Sequence, residues 1–181
     1  KVLYKYPQSE YPYNKLLEEN RKLTRQDPEI ELADLGVFNE DRYFDIVQEV
    51  AKRSPEDLLW KISATNHGPD AAPLHILPSV WLRNIWEGGN KNEKPAIKPS
   101  ISLENGALKI SHETLGSFLF FAETTTTEAP AEWLFTENET NQEKLYGRKS
   151  SSPHTKDAFH RHLINAEKDS VNPDQTGTKS A

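Results

Sequence analysis

The stretch that decides the fold of this protein is Ile101-Ser102-Leu103-Glu104-Asn105-Gly106-Ala107-Leu108-Lys109-Ile110. Apolar and polar residues alternate on both sides of its centre, which is the pattern of a strand that buries one face. The central Asn-Gly pair tolerates the positive φ angles of a two-residue hairpin turn. The stretch therefore predicts two antiparallel strands joined by a tight turn.

Shorter stretches with the same alternation occur on both sides of this hairpin. Turn-rich segments containing Gly, Pro or Asx separate the earlier ones, at residues 39–41, 54–57 and 66–70. About eight short strands at such spacing are typical of an antiparallel β-sandwich and not of alternating βα units. The further strands are predicted at residues 30–32, 44–46, 58–64, 117–123 and 132–136, with a connector at 124–127.

An apolar segment at residues 73–86 is predicted to form one bent strand, followed by a polar loop at 88–99. Pro78 lacks a backbone N–H, so this strand should lie at a sheet edge or contain a bulge. One or two short helices are expected at the periphery of the sandwich. The first spans residues 13–25, with apolar residues at helical spacing, and the second lies within residues 156–168.

The two ends of the sequence differ from its middle. Residues 1–6 have the pattern of a strand from the first position, whereas residues 170–179 have that of a loop with no closing strand. We therefore expect residues 1–181 to be part of a single β-sandwich domain, truncated at both ends. Such a domain exposes strand edges and apolar faces, above all at the strands 58–64 and 117–123, so we expect it to associate either with the remainder of its own polypeptide or with itself.

Composition excludes several classes of protein. The chain has 181 residues, 35% of them hydrophobic, which is enough to bury a core without cross-links. It contains no cysteine, which excludes disulfides, zinc ribbons and thiol nucleophiles. A net charge of -6 opposes binding to nucleic acid or to an anionic membrane, and a mean hydropathy of -0.79 indicates no transmembrane segment. No nucleotide-binding or hydrolase motif occurs, so we expect no cofactor. We also expect a cytoplasmic protein.

The apolar segment also contains a candidate sugar-binding cluster, Trp81, Arg83, Asn84 and Trp86. Flat aromatic rings pack on pyranose rings, while Arg and Asn bind hydroxyl groups. Alternation puts Trp81 and Arg83 on one face of an extended strand. Asn84 and Trp86 lie on the other face, so the two rings form a single platform only if the strand bulges. Burial of both tryptophans in the core is the competing interpretation.

Residues 137–141, Glu-Asn-Glu-Thr-Asn, put acids and amides at the end of a predicted strand. Glu137 and Asn138 are the candidate ligand contacts, and a turn or helix-capping cluster is the alternative interpretation. The same run contains an N-glycosylation sequon, which has meaning only in a secreted chain. No metal site is predicted, because His160 and His162 would point apart on a helix.

A series of short motifs runs along the chain from residue 3 to residue 179. They are Leu3-Tyr4-Lys5-Tyr6-Pro7-Gln8, Tyr11-Pro12-Tyr13, residues 31–38, residues 41–45, Asn66-His67-Gly68-Pro69, residues 74–86, residues 135–141, Lys156-Asp157-Ala158-Phe159, Val171-Asn172-Pro173 and Gly177-Thr178-Lys179. In this order they resemble consecutive motifs of proteins related to glycoside hydrolase family 63, the mannosyl-oligosaccharide glucosidase-like group. The resemblance spans almost the whole chain, which makes it more specific than any single motif.

The resemblance implies a particular domain and a particular set of partners. The domain is an N-terminal antiparallel β-sandwich of the super-sandwich type, which in that family precedes an (α/α) barrel with the two catalytic carboxylates of an inverting glycosidase. Neither catalytic carboxylate would lie in this chain. The implied partners are the barrel of the same polypeptide and a carbohydrate substrate, whose cleft the domain would help to shape.

Two other functions remain open at this point. A free-standing carbohydrate-binding module would use the cluster of Trp, Arg and Asn. An aldose-epimerase-like enzyme would use a histidine with a glutamate, for which His75 and Glu137 are the candidates. A self-contained module or enzyme is expected to close its sheet within its own boundaries, whereas this sequence begins in a strand and ends in a loop.

Overall fold

A computed structural model describes residues 1–87, 97–124 and 131–181. These residues form two compact units, Lys1–His75 and Ile76–Ala181, and each is described by itself below. All the strand pairs among the described residues are antiparallel, and the helices are few and short. The fold is therefore mainly β, as predicted. That both units belong to one sandwich domain stays a prediction.

The first unit is built on a three-stranded sheet. Its strands, in the order in which they lie side by side, are β1 (Val2–Pro7), β2 (Tyr43–Ser54) and β3 (Asp57–Asn66). β1 pairs with β2 only as far as Gln48. Beyond that point β2 pairs with β3 alone, so residues 49–61 form a two-stranded ribbon that continues past the sheet.

A short helix, α1 (Tyr13–Arg21), follows β1. It ends earlier than predicted, because the next residues form a turn stabilised by a side chain. The carboxylate of Asp27 accepts hydrogen bonds from the backbone N–H and the hydroxyl of Thr24, at 2.7 and 2.8 Å. Such local bonds offer the backbone an alternative to a further helical turn.

The prediction of a strand at residues 30–32 is wrong. A short 3-10 helix occupies Leu32–Leu35, and the side chain of Asp34 accepts the backbone N–H of Glu31 at 2.8 Å. Gly36 then adopts a φ angle of 71°, in the left-handed region that ends helices. These local hydrogen bonds satisfy the backbone where a strand would need a partner.

The second unit contains two antiparallel sheets with short helices beside them. The sheets have the strand orders β4-β10-β8 and β7-β6-β5-β9. The elements are β4 (Val80–Trp81), β5 (Ser100–Glu104), β6 (Ala107–His112), β7 (Gly116–Phe120), β8 (Phe135–Thr136), α2 (Gln142–Tyr146), α3 (Ala158–Asn165), a 3-10 helix (Lys168–Ser170), β9 (Thr176–Gly177) and β10 (Lys179–Ser180).

The apolar core of the second unit takes side chains from both sheets. Its buried members are Leu82, Ile101, Leu108, Ile110 and Phe135. Fully burying one such side chain stabilises a fold by about 1.5–3 kcal/mol. The shared core makes this unit sandwich-like.

The predicted hairpin is confirmed as β5 and β6. Ile101 lies opposite Ile110 across the ladder, and both side chains are buried in the core. Asn105 and Gly106 form the turn with φ angles of 52° and 82°. These are the positive values that a two-residue turn between twisted strands requires.

The loop predicted at residues 170–179 is wrong in its last part. β9 pairs with β5 of one sheet, whereas β10 pairs with both β4 and β8 of the other. One short segment thus contributes a strand to each sheet. Gly177 lies against the backbone of Thr136, where an added Cβ would overlap the carbonyl oxygen. Strands of two residues are too short to show alternation, so the sequence carried no signal for them.

Other predicted strands are shorter than expected. Within residues 73–86 only Val80–Trp81 is a strand, at a sheet edge as Pro78 indicated. Prolines remove the donors that a longer ladder would need. The expected loop at 88–99 and the connector at 124–127 lie largely outside the described residues.

Candidate functional site

The structure brings four of the six predicted ligand contacts together in the second unit. Asn84, Trp86, Glu137 and Asn138 are all half-buried or partly buried neighbours. Trp81 and Arg83 are not part of this group, since both are exposed and Trp81 has 59% of its surface accessible. The interpretation of Trp81 as a core residue is therefore wrong.

Alternation along the chain explains this division. Leu82 is buried in the core, and its backbone N–H donates to the carbonyl of Thr178 at 3.2 Å, which continues the extended path beyond β4. Side chains two and four residues further on point to the same side. Asn84 and Trp86 are therefore directed into the protein, whereas the residues between them face solvent.

A buried carboxylate, Glu139, is the centre of this region, with only 3% of its surface exposed. It accepts hydrogen bonds from the indole of Trp86 at 2.9 Å, from Lys98 Nζ at 2.8 Å and from Ser151 Oγ at 2.5 Å. A buried charge requires such partners, because an isolated one is strongly disfavoured. We call Trp86, Lys98, Glu139 and Ser151 the Glu139 network.

Lys98 connects this network to Glu137. Its ammonium group lies 2.8 Å from Glu139 Oε1 and 3.2 Å from Glu137 Oε2. The hydroxyl of Thr178 also donates to Glu137 Oε2, at 2.7 Å. The segments that contain Lys98, Glu137 and Thr178 are therefore joined by an ion pair and a hydrogen bond.

The contact between Glu139 and Lys98 shifts the pKa values of both groups. Burial raises the pKa of Glu139, but the hydrogen bonds from Lys98, Ser151 and Trp86 outweigh it and hold the pKa below its ordinary value. Burial lowers the pKa of Lys98, and the bonds to Glu139 and Glu137 outweigh it and raise the pKa. At neutral pH Glu139 is thus ionised and enclosed, which does not suit a proton donor in glycoside hydrolysis.

Asn138 is fixed by its own hydrogen bonds. Its side-chain amide donates to the carbonyl of Leu82 at 2.8 Å, and its backbone N–H donates to Thr178 Oγ1 at 2.7 Å. Asn84 in turn donates to the carbonyl oxygen of Asn138 at 3.2 Å. The side chain of Asn138, the first residue of the sequon at 138–140, is thus part of the hydrogen-bonded fold.

An open polar pocket of about 510 Å³ lies beside these residues. Two predicted contacts, Asn84 and Asn138, form part of its wall. Amides, a carboxylate, a hydroxyl and an ammonium group provide both hydrogen-bond donors and acceptors, which suits a ligand rich in hydroxyl groups. The lining residues of this polar pocket are Asn84, Glu87, Asn138, Thr140, Gln142 and Lys156.

The Glu139 network supports the pocket from behind. The hydroxyl of Ser151 lies 2.5 Å from Glu139 Oε2 and 3.0 Å from Glu87 Oε1, and its one proton is donated to one of these two carboxylates at a time. The amide of Asn84 donates to Glu87 Oε2 at 2.9 Å. Elsewhere in the lining, Lys156 Nζ donates to the hydroxyl of Thr140 at 3.0 Å. The pocket groups are thus held in place by bonds that leave further lone pairs and N–H groups for a ligand.

Sequence reasoning missed several members of this site. Glu139 was within the acid and amide run at 137–141, but nothing marked it as the buried residue. Lys98, Gln142 and Lys156 had no signal, because their roles depend on segments that are distant in sequence. His75 belongs to the first unit and Glu137 to the second, and their pairing stays a prediction.

The described residues contain no group of three or more histidine or acidic side chains arranged to hold a metal ion. Within the same residues no helix is long and apolar enough to cross a membrane. His160 and His162 both lie on α3, at the spacing that directs them apart.

Comparisons with known proteins give one informative relative. No family model matches the chain, and no solved structure matches it. The chain is similar to an uncharacterized protein of Saccharomyces cerevisiae, YMR196W, with 31% identity over 209 residues. The similarity covers 99% of this chain and 19% of the yeast protein. The chain therefore spans about a fifth of the length of the curated relative that it matches.

Proposed function

We propose that this chain is a noncatalytic domain of a larger protein that acts on carbohydrate, related to inverting α-glucosidases or mannosidases. The observation that carries the proposal is the polar pocket, whose wall includes two residues predicted as sugar contacts, Asn84 and Asn138. The resemblance of the ordered motifs to the glucosidase-like group supports it. The larger protein is the proposed hydrolase, and the chain contributes binding groups to the rim of its cleft.

The chemistry of the pocket supports a carbohydrate ligand. Sugar hydroxyls both donate and accept hydrogen bonds, so a binding site needs carboxylates and amides together. Glu87 supplies two acceptor oxygens, while Gln142 supplies a carbonyl and an amide nitrogen. Neutral polar groups dominate the wall, with Lys156 and Glu87 as a balanced pair of charges.

The partner that we propose for this domain is the catalytic (α/α) barrel of the same polypeptide. Both units present apolar side chains to solvent at strands where the sequence predicted exposure. Leu58 is 65% exposed on β3, and Leu119 is 62% exposed on β7. The yeast relative is about five times as long as the matched region. We propose that chain outside the matched region covers these exposed apolar side chains.

Sugar binding by the 181-residue chain tests the pocket. We expect methyl α-glucoside or methyl α-mannoside to shift amide NMR signals of residues 84–87 and 138–142. Gln142→Ala should weaken the binding by about threefold to tenfold, because it removes one polar partner that makes no side-chain bond in the described fold. Gln26→Ala, an exposed amide outside the pocket, is the control. An unchanged spectrum with both sugars would remove the support for a carbohydrate-binding role.

A free-standing carbohydrate-binding module is the second candidate, and the exposure of Trp81 favours it. The ring is accessible on the outer face of β4, with the exposed Arg83 two residues further along the same face. A module of this kind would lose sugar affinity in Trp81→Ala with unchanged melting. In the domain that we propose, Gln142→Ala is the variant that loses affinity.

We also propose a cytoplasmic location. In that location the sequon at 138–140 carries no glycan. Fractionation of cells that express a tagged form of the protein tests the proposal, with glycosidase digestion of the tagged protein as a check for attached glycans. A shift in mobility after digestion would contradict it.

A further inference from the structure

The first unit contains an open cavity, lined largely by exposed side chains, that the proposed function does not use. Its volume is about 640 Å³, within the usual range for sites that bind small molecules. An apolar patch from Val37 and two alanines forms part of the lining. The polar lining residues are Gln8, Ser9, Asn39, Glu40, Arg42 and Asp70, and we call the space the Arg42 cavity.

The backbone at this cavity adopts an unfavourable conformation. Glu40 and Asp41 are consecutive residues with φ angles of 65° and 54°, in the left-handed region that side chains other than glycine rarely adopt. Strain of this kind persists where surrounding structure imposes it, and it is concentrated at ligand-binding positions. Glu40 and Arg42, on either side of Asp41, both line the cavity.

Several polar groups of the lining lack a partner within the described part of the chain and are accessible from solvent. The side chains of Ser9 and Asn39 make no hydrogen bond among the residues that the structure describes. Gln8 uses its amide nitrogen to donate to Asn66 Oδ1 at 2.7 Å, which leaves its carbonyl oxygen for another partner. Gly36 leaves room for the amide of Asn39, since a Cβ there would lie 2.8 Å from Asn39 Nδ2.

The charges of the lining decide the class of ligand. Arg42 lies between two carboxylates, 3.2 Å from Asp70 Oδ2 and 3.7 Å from Glu40 Oε2. One guanidinium group against two carboxylates leaves an excess of negative charge, which opposes phosphates and other anions. Carboxylates accept hydrogen bonds from hydroxyl groups, while amides and Arg donate to hydroxyl oxygens.

We propose that the Arg42 cavity binds a neutral polyhydroxylated ligand of the size of a mono- or disaccharide. The ligand donates hydroxyl protons to Glu40 and Asp70 and accepts from Asn39 and Arg42. Its apolar ring face lies against the patch around Val37. This site is in a different unit from the polar pocket, so its existence does not depend on the proposed function.

Titration of the 181-residue chain with methyl α-glucoside and with maltose tests this site by amide NMR. We expect shifts at residues 8–9, 36–42 and 70–72, with a dissociation constant in the millimolar range. Asn39→Ala should raise that constant about threefold to tenfold without a change in melting temperature, because its side chain has no partner in the fold. Asn14→Ala removes an exposed amide from α1 and serves as the matched control.

The remaining outcomes contradict the inference. Shifts confined to the second unit would support the proposed function and exclude the Arg42 cavity as a sugar site. Shifts at the cavity with glucose 6-phosphate that exceed those with the neutral sugars would overturn the ligand class. An equal loss of affinity in Asn39→Ala and Asn14→Ala would show that the binding lies elsewhere.

Discussion

At the scale of single residues, Ala166 is in a conformation that suits glycine better. It follows α3 with a φ angle of 56°, and its backbone N–H donates to the carbonyl of Arg161. A Cβ is unfavourable in this left-handed position, where helices commonly end with glycine. We expect Ala166→Gly to raise the free energy of unfolding by about 1 kcal/mol in urea denaturation.

Ala158 provides the matched control for this substitution, since it lies at the start of the same helix with ordinary helical geometry and is fully buried. Ala158→Gly should lower the free energy of unfolding by about 1 kcal/mol or more, because it removes a buried methyl group and loosens the unfolded chain. A loss of stability in both variants would show that the left-handed position carries no strain.

Glu139 should make stability depend on acid pH. Its pKa is held below its ordinary value, since the bonds from Lys98, Ser151 and Trp86 outweigh the effect of burial. A carboxyl whose folded pKa is depressed contributes stability that is present above the unfolded pKa and is lost as pH falls through the folded pKa. The free energy of unfolding should therefore fall steeply below about pH 4.5.

The measurement is urea denaturation followed across the acid range, with the fluorescence of Trp86 and its neighbours as the signal. Glu139→Gln should be less stable at neutral pH and should show a shallower acid dependence. Glu113→Gln, an exposed carboxyl without a side-chain partner among the described contacts, is the control and should follow the unmodified chain. Equal acid slopes in all three proteins would exclude Glu139 as the group responsible.

At the scale of elements, the segment that joins the two sheets of the second unit is the most sensitive to change. Gly177 of β9 lies so close to Thr136 that a methyl group would overlap the carbonyl oxygen. We expect Gly177→Ala to lower the free energy of unfolding by about 3 kcal/mol, since backbone cannot yield as a flexible side chain can. Thr176→Ala, an exposed neighbour, should change it by less than about 1 kcal/mol. Similar values for the two variants in denaturant titration would contradict the close approach.

Elements with local signals were predictable, whereas elements made by distant pairing were not. The hairpin from β5 to β6 is encoded by its own alternation and by Asn105-Gly106. The turn between β2 and β3 is marked by Ser, Pro and Asp at residues 54–57. β9 and β10 have no such signal, because their partners lie on strands that are far away in sequence.

In the candidate site, too, the features with a local sequence signal were predictable and those made by distant segments were not. Alternation after β4 correctly placed Asn84 and Trp86 on one side and Trp81 on the other. It did not reveal that Lys98 would meet Glu139, because an ion pair between separate segments leaves no periodic pattern. The sugar-contact roles of these residues stay predictions.

At the scale of the whole molecule, the exposed apolar faces predict association. Tyr4, Val50, Leu58 and Trp60 alternate onto one face of the first sheet and are all exposed. A three-stranded sheet of this kind is stabilised when a second layer covers it. We expect the isolated chain to bind a hydrophobic dye and to self-associate in sedimentation at raised concentration.

The double variant Leu58→Lys with Val50→Lys should reduce both dye binding and association, because it adds charge to the exposed ribbon. Lys61→Glu, on the other face of β3, changes charge without changing the apolar face and is the control. A chain that stays monomeric, binds no dye and unfolds in one cooperative transition would argue for a complete domain and would favour the free-standing module.

The expected activity of the isolated chain also belongs to the scale of the whole molecule. Glu139 is enclosed by three donors, and the resemblance assigns the two catalytic carboxylates to the barrel. We expect the isolated chain to show no turnover of aryl glucosides, aryl mannosides or glucose- and mannose-containing oligosaccharides. Turnover that survives repurification and disappears when a carboxylate of this chain is replaced would show that the chain is catalytic. Interconversion of glucose anomers, lost in His75→Ala, would instead support the epimerase-like alternative.

The segment that carries β9 and β10 imposes an order on the making of the protein. A ribosome releases the chain from its first residue onward, so β4, β5 and β8 emerge before their shared neighbours do. One sheet of the second unit is incomplete until residue 177 has left the exit tunnel, and the other is incomplete until residue 180 has left it. The hairpin from β5 to β6 forms from its own sequence, and during that interval the side of β5 that later pairs with β9 has no partner strand. Chaperones that bind nascent strands would meet this unit in its unfinished form, and a stalled ribosome would hold it there.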